Sequence, residues 1–202
     1  IVGGDFIVSS LPNAGTPFRV QRYVLEWAEA LEAMAAVEPL QIVSGHGGVF
    51  RDDAAEMLDV TARALHWLDA EVVRRINEGQ WQEQIIHEVE LPADLVGHRH
   101  LQPLYGCTSF LVRDLLRRYM GWYDGNASMV FPSTRAEIAT EVLSLVGGAD
   151  PIMRRVSDLS AGTEDEAQLA LHLLDLVIDG GGEHLAAAHR RKATILDRRA
   201  AS

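Results

Sequence analysis

Ile1-Val2-Gly3-Gly4-Asp5-Phe6-Ile7-Val8 and Leu40-Gln41-Ile42-Val43-Ser44-Gly45-His46-Gly47-Gly48 are the two stretches on which the fold turns. Each holds a short, partly β-branched apolar run and a polar, glycine-rich break carrying one side chain able to bind a metal, Asp5 in the first and His46 in the second. Short runs of this kind bounded by glycine read as strands, here over 1–8 and 40–43. Between them Val20, Tyr23, Val24, Trp27, Ala30, Leu31 and Met34 recur at helical spacing, which predicts an amphipathic helix from Phe18 to Val37. Ser9 to Gly15 is turn chemistry, Thr16 is suited to cap the helix, Pro17 to open it and Pro39 to end it. Strands flanking a crossover helix run parallel, so Asp5 and His46 are expected at the same edge of one sheet. A carboxylate that can bridge two cations and an imidazole for one of them are parts of a two-metal hydrolytic site. Taken singly, Gly-Asp is a common turn and Gly-His-Gly a weak signal. The chain opens almost on its first ligand-bearing strand, and the expectation is that an earlier half of the fold precedes it.

Working outward, the character changes after residue 50, where no further strand is predicted. Asp52 or Asp53 caps a long helix to about Glu78, with Met57, Val60, Ala64, Trp67 or Leu68, Val72 and Ile76 as its stripe and Gly79 as its stop. Helices are expected over Trp81–Val89 and Ser109–Trp122, and then, capped by Ser133, to Val146. Three more follow at 149–160, 163–178 and 183–198, the last two forming an antiparallel hairpin around Gly180-Gly181-Gly182, like one helical-repeat unit. One such hairpin cannot bury its own face and must pack on the helices before it. The fold class is mostly α with a small α/β piece, and the best division lies near residue 50: domains 1–50 and 51–202.

Composition excludes several function classes. The 202 residues are 48% hydrophobic and 23% charged, enough for a packed core and against disorder. A net charge of −11 argues against a nucleic-acid partner. The basic clusters at Arg113, Arg117 and Arg118 and at Arg190, Arg191 and Lys192 read as solvated helix faces or carboxylate partners. No apolar run approaches the roughly 18 residues of a membrane span. The single cysteine, Cys107, rules out an internal disulfide and reads as a buried structural thiol. The compartment stays open, since an N-terminal truncation would hide a signal.

Longer strings then carry a resemblance. Gly4-Asp5 through Pro12-Asn13-Ala14-Gly15, Val20-Gln21-Arg22-Tyr23, Glu26-Trp27-Ala28 and Ser44-Gly45-His46-Gly47 look like the C-terminal part of a metallo-β-lactamase-fold hydrolase of the alkyl-sulfatase-like branch. Leu101 to Gly106, Tyr119 to Asn126 and Gly147-Gly148-Ala149-Asp150 are similar to the helical alkyl sulfatase dimerisation domain. The Gly-Trp-Tyr-Asp-Gly-Asn run of residues 121–126 is the most specific part. The resemblance implies the closing βαβ portion of an αββα fold over residues 1–50, followed by an all-α dimerisation domain. It makes Asp5 the carboxylate bridging two zinc ions and His46 the last histidine of the second zinc site. It implies hydrolysis of an alkyl sulfate or related small anionic ester by a metal-activated water, in a homodimer.

The family's His-x-His-x-Asp-His motif lies upstream, and nothing here matches it. His98-Arg99-His100 has similar spacing but no Asp-His after it, and reads as loop chemistry. One aspartate and one histidine are too few for a catalytic zinc, so these residues are expected to be inactive alone, with the N-terminal catalytic half missing. Tyr105, Arg113 and Arg118 are candidate substrate-binding residues; the alternative is a turn tyrosine and arginines paired with Asp114 or Asp124. Trp122, Tyr123 and Asn126 are expected to fix the turn after their helix, and His66, His87, His172, His184 and His189 to be structural. The rival function is a non-catalytic helical dimerisation or interaction module. In either case a homodimer is expected through helices of residues 51–126. The long helix spans about 40 Å at about 1.5 Å per residue. Trp67, Leu68, Leu111, Val112, Leu115, Leu116 and Tyr119 suggest more apolar surface than one copy covers. The 163–198 hairpin is expected to lie peripherally.

Overall fold

The computed structural model describes residues 1–46 and 48–201; Gly47, expected from the sequence in a glycine-rich turn, and Ser202 lie outside the described residues. β1 (Val2–Gly4) and β2 (Ile42–Ser44) pair in parallel, Val2 opposite Val43 and Gly4 opposite Ser44, as the crossover requires. A short third strand not expected from the sequence, β3 (Val49–Phe50), returns antiparallel beside β2 with Phe50 opposite Ile42. β1 is shorter than expected. Gly4 takes φ +52, the Phe6 N–H donates to the Gly3 carbonyl at 3.2 Å, and Ile7 drops into the core.

α1 (Val24–Ala35) starts at Val24, not Phe18. Both Gly15 (φ +69) and Phe18 (φ +64) sit in the left-handed region, so the chain through them cannot be helical. This irregular segment is pinned to α4 (Thr108–Met120) instead. A Cβ on Gly15 would lie 1.8 Å from the Phe110 carbonyl oxygen, and the Gln21 side chain donates to the Asp114 carbonyl at 3.2 Å. The Thr16 hydroxyl bonds the Asn13 side chain rather than capping a helix. Phe18 and Val20, which lengthened the apolar repeat, are solvent-exposed.

α2 (Ala54–Asn77) and α3 (Gln82–Glu88) fall within a residue or two of expectation. α1 lies along α2, and α4 packs against α2 and α3. Trp27 and Leu31, Met57, Leu58, Leu65 and Leu68, Ile85, and Leu111, Val112, Leu115 and Leu116 form one core with the strands' Ile42 and Phe50. That placement corrects the expected reason for dimerisation. Leu68, Leu111, Val112, Leu115 and Leu116 are 0–2% exposed within a single copy, so the long helix and α4 cover each other's apolar faces. Among the aromatic residues after α4, Trp122 is 75% exposed and does not pack in the turn. Asn126 does fix it, accepting the Ser128 N–H at 3.1 Å.

α5 (Arg135–Val146), α6 (Ala149–Leu159), α7 (Glu164–Gly180) and α8 (Leu185–Ala201) make a second unit with its own core of Val156, Leu159, Ala170, Leu174, Val177, Ala188 and Ile195. Thr134, not Ser133, caps α5 in a reciprocal box with Glu137, and Thr163 and Glu166 do the same for α7. The α7–α8 hairpin packs on α5 and α6, as an isolated hairpin must. By packing, the chain divides into Ile1–Val130 and Phe131–Ser202. No helix among the described residues is long and apolar enough to cross a membrane.

Candidate functional site

The parallel pairing brings the ends of β1 and β2 together, and with them Asp5 and His46: Oδ1 of one lies 3.3 Å from Nε2 of the other. Both side chains are more than three-quarters exposed, available to a ligand. The platform beneath is cross-linked. The Gly45 N–H donates to the Gly4 carbonyl at 2.8 Å, the Ser44 hydroxyl reaches the carbonyls of Ile7 and His46, and the His46 N–H donates back to Ser44 Oγ at 3.1 Å. A Cβ at position 45 would stand 2.3 Å from Asp5 Oδ1 and 3.0 Å from the Gly4 carbonyl carbon, so a side chain there would displace the Asp5 carboxylate from its place beside His46.

Beside this pair opens a cavity of about 600 Å³ lined by Asp5, His46, Asn13, Arg19, Arg22 and Tyr105, among others. The structure therefore brings three of the expected site residues together, Asp5, His46 and Tyr105. Arg113 and Arg118 are elsewhere. α4 turns Leu111, Val112, Leu115 and Leu116 inward, which leaves Arg113 on its exposed face. Arg118 pairs with Glu26 and lies over the rings of Tyr23 and Tyr119 at 5.5 and 5.6 Å.

The cations of the cavity are instead Arg19 and Arg22, which the sequence reading placed on a helix that does not exist there. Arg22 Nη1 donates to the Asn13 carbonyl at 2.8 Å, and its guanidinium stands 6.0 Å from the Trp27 ring centroid. The Arg22 backbone N–H donates to the buried Asp114 carboxyl, so one residue of α4 holds the segment carrying both arginines. Burial pushes the Asp114 carboxyl up to about 6, against the opposing pull of that N–H and of Arg117 and Arg118. Two guanidiniums and a phenol beside a carboxylate–imidazole pair can receive an anionic group and present its neighbouring bond to whatever Asp5 and His46 hold.

The other candidates have plain partners. His66 meets Glu32 at 3.0 Å, His184 meets Asp150 at 2.9 Å, and His98 meets Glu56 at 3.2 Å. Cys107 is only half-buried, at the N-cap of α4 with its sulfur 3.2 Å from the Ser109 hydroxyl. Among the described residues no three histidine, cysteine, aspartate or glutamate side chains converge as a metal site. Asp5 and His46 fit a metal in donor chemistry, one oxygen and one nitrogen, and supply two of the three protein ligands a catalytic zinc usually takes.

Comparison with known proteins identifies the family of the helical part of the chain. The family described as alkyl sulfatase dimerisation matches residues 82–202. The chain belongs to that family. It is 29% identical over 156 residues to the linear primary-alkylsulfatase of Pseudomonas sp. (strain ATCC 19151), covering 74% of this chain and 29% of that protein. It is 23% identical over 190 residues to the alkyl/aryl-sulfatase BDS1 of Saccharomyces cerevisiae, covering 77% of this chain and 29% of the relative. Its fold is that of the stereoselective inverting sec-alkylsulfatase Pisa1 from Pseudomonas sp., with a TM-score of 0.86 at 21% identity over 96% of this chain and 32% of that one. The chain thus spans under a third of the length of these relatives.

Proposed function

We propose that these residues are the C-terminal part of a zinc-dependent hydrolase of alkyl sulfate esters, with residues 1–50 closing a metallo-β-lactamase fold and 51–202 forming its dimerisation domain. The observation that carries this reading is the meeting of Asp5 and His46, 3.3 Å apart, on a cavity that also holds Arg19, Arg22 and Tyr105. The alkylsulfatase relatives support the substrate class. Asp5 and His46 would hold zinc, which when bound supplies an acidified water and polarises the bond to be cleaved. Arg19, Arg22 and Tyr105 bind and orient the sulfate, and Asn13 fixes Arg22 through its carbonyl. The homodimer belongs to the same reading, since the matching family is described by dimerisation.

Titrating the 202-residue chain with octyl sulfate below its micelle concentration tests the substrate side without needing turnover. Saturable binding that weakens at least tenfold in Arg22→Ala, with inorganic sulfate weaker and octanol silent, is expected. Binding that is absent, or unchanged in Arg22→Ala and Tyr105→Phe, favours a helical association module with no substrate of its own.

A further inference from the structure

Behind the same cavity lies a second chemical grouping that the metal reading does not use. Ser9, on the turn after β1, lines the cavity, and its Oγ is 2.7 Å from Nδ1 of His100. His100 is 2% exposed, and its Nε2 is buried with no hydrogen-bond partner; the nearest acidic oxygen is Asp53 Oδ2 at 3.5 Å. Asp53 occupies the N-cap position of α2, where an aspartate ordinarily accepts a helix N–H, yet its side chain makes no capping bond and instead lies toward the imidazole. A buried ring nitrogen facing a carboxylate is best satisfied as N–H. That tautomer leaves Nδ1 as the acceptor and makes Ser9 the donor.

We propose that Ser9, His100 and Asp53 form a serine nucleophile relay that opens on this cavity and accepts acyl groups from carboxyl esters without a metal. The order is nucleophile, base, orienting carboxylate, as in hydrolytic triads, but with the two ring nitrogens exchanged. In the first half-reaction Ser9 Oγ bonds to the ester carbonyl carbon while its proton passes to His100 Nδ1. The carbon–alkoxy bond then breaks and the leaving alcohol takes that proton. In the second, water adds to the acyl carbon, giving a proton to His100, and the carboxylic acid leaves as Ser9 recovers its hydrogen. Arg19, Arg22 and Tyr105 stand on the same cavity as donors for a developing oxyanion. The charged and titratable groups facing the imidazole are Arg99 and His98 from its own turn and Asp53 and Glu56 from α2, with the Phe50 ring edge-on at 6.2 Å. Burial, then Arg99, lowers its pKa against the pull of the two carboxylates, which keeps the ring neutral at pH 7 with a nitrogen lone pair free to accept a proton. The 3.5 Å gap to Asp53 is of the kind that closes when the imidazolium forms. This relay is independent of zinc and of the sulfate reading.

The test is covalent labelling of the 202-residue chain by an alkyl fluorophosphonate in the presence of EDTA. Here Ser9 Oγ bonds to phosphorus, fluoride leaves, and the proton passes to His100. One adduct per chain on the peptide bearing Ser9 is expected. It should be absent in Ser9→Ala, slowed about 100-fold in His100→Gln, and unchanged in Ser10→Ala, whose hydroxyl turns to the Leu11 carbonyl. Circular dichroism checks that each variant folds. Should His100→Gln not fold, the wild-type labelling rate against pH decides, and it must fall as one proton is taken up below neutrality. No adduct, an adduct elsewhere, labelling of folded His100→Gln at the wild-type rate, or a flat pH profile would overturn the relay and leave His100 as a clamp on the Ser9 turn.

Discussion

Asp114 shows at the residue scale how one buried carboxylate can shape a site it does not touch. It is 4% exposed, accepts the Arg22 N–H, and is pushed up to about 6 by burial. Because its folded pKa lies above its unfolded value, its contribution to stability is fully present below about pH 4 and is lost as pH rises through about 6. The gap between those values corresponds to about 3 kcal/mol at most. Asp114→Asn keeps an acceptor for Arg22 while removing the charge. Its denaturation midpoint should exceed the wild type's at pH 8 and converge with it at pH 4, read from urea titrations at both pH values. Asp5 and His46 were legible in the sequence, because a polar side chain at the glycine-marked end of a short apolar run is visible without coordinates. Arg19 and Arg22 were not, because periodicity counts apolar residues and is blind to backbone sign. Phe18 at φ +64 changes the path of the segment without changing its pattern. The relay of Ser9, His100 and Asp53 was equally hidden, since its members lie far apart in sequence and the aspartate looked like a helix cap.

At the scale of elements, α2 was the most legible, with a full stripe, an acidic start and a glycine stop. Its last turns are also its most strongly paired. Glu71 accepts from Arg74 and Arg75, each at 2.7 Å, and Arg75 reaches Glu88 of α3, also at 2.7 Å. The Arg74 hydrogen bond, followed by that of Arg75, holds the Glu71 carboxyl down at about 2. A depressed carboxyl contributes stability above its unfolded pKa near 4 and loses it as pH falls through about 2. Glu71→Gln is therefore expected to cost about 1–2 kcal/mol at pH 7. The cost should shrink steadily as pH falls from about 4 toward about 2, which thermal melts across that range can follow. α1 was mistaken at its start for the reason given by Phe18, whereas α5 and α7 were marked by Thr-x-x-Glu boxes that needed only correct reading of which hydroxyl leads.

For the whole molecule, the units Ile1–Val130 and Phe131–Ser202 each hold a core of their own, and the first covers the apolar faces of α2 and α4. Leu68→Glu is thus expected to unfold the first unit rather than dissociate a dimer, since the side chain is wholly buried in one copy. The proposed homodimer then uses other surface, and the exposed aromatic pair Trp122 and Tyr123 after α4 offers one such patch. Light scattering at micromolar concentration should give twice the chain mass, falling toward one chain mass in Trp122→Glu plus Tyr123→Glu; a monomer in the wild type would refute the association.

The most direct measurement of the central claim is zinc content together with sulfate release from a linear primary alkyl sulfate, in the complete gene product. Two zinc ions per chain and turnover are expected. His46→Ala should lose one zinc and at least 100-fold of the activity, and His98→Ala should keep both. Full zinc occupancy and undiminished turnover in His46→Ala would contradict the assignment of this site.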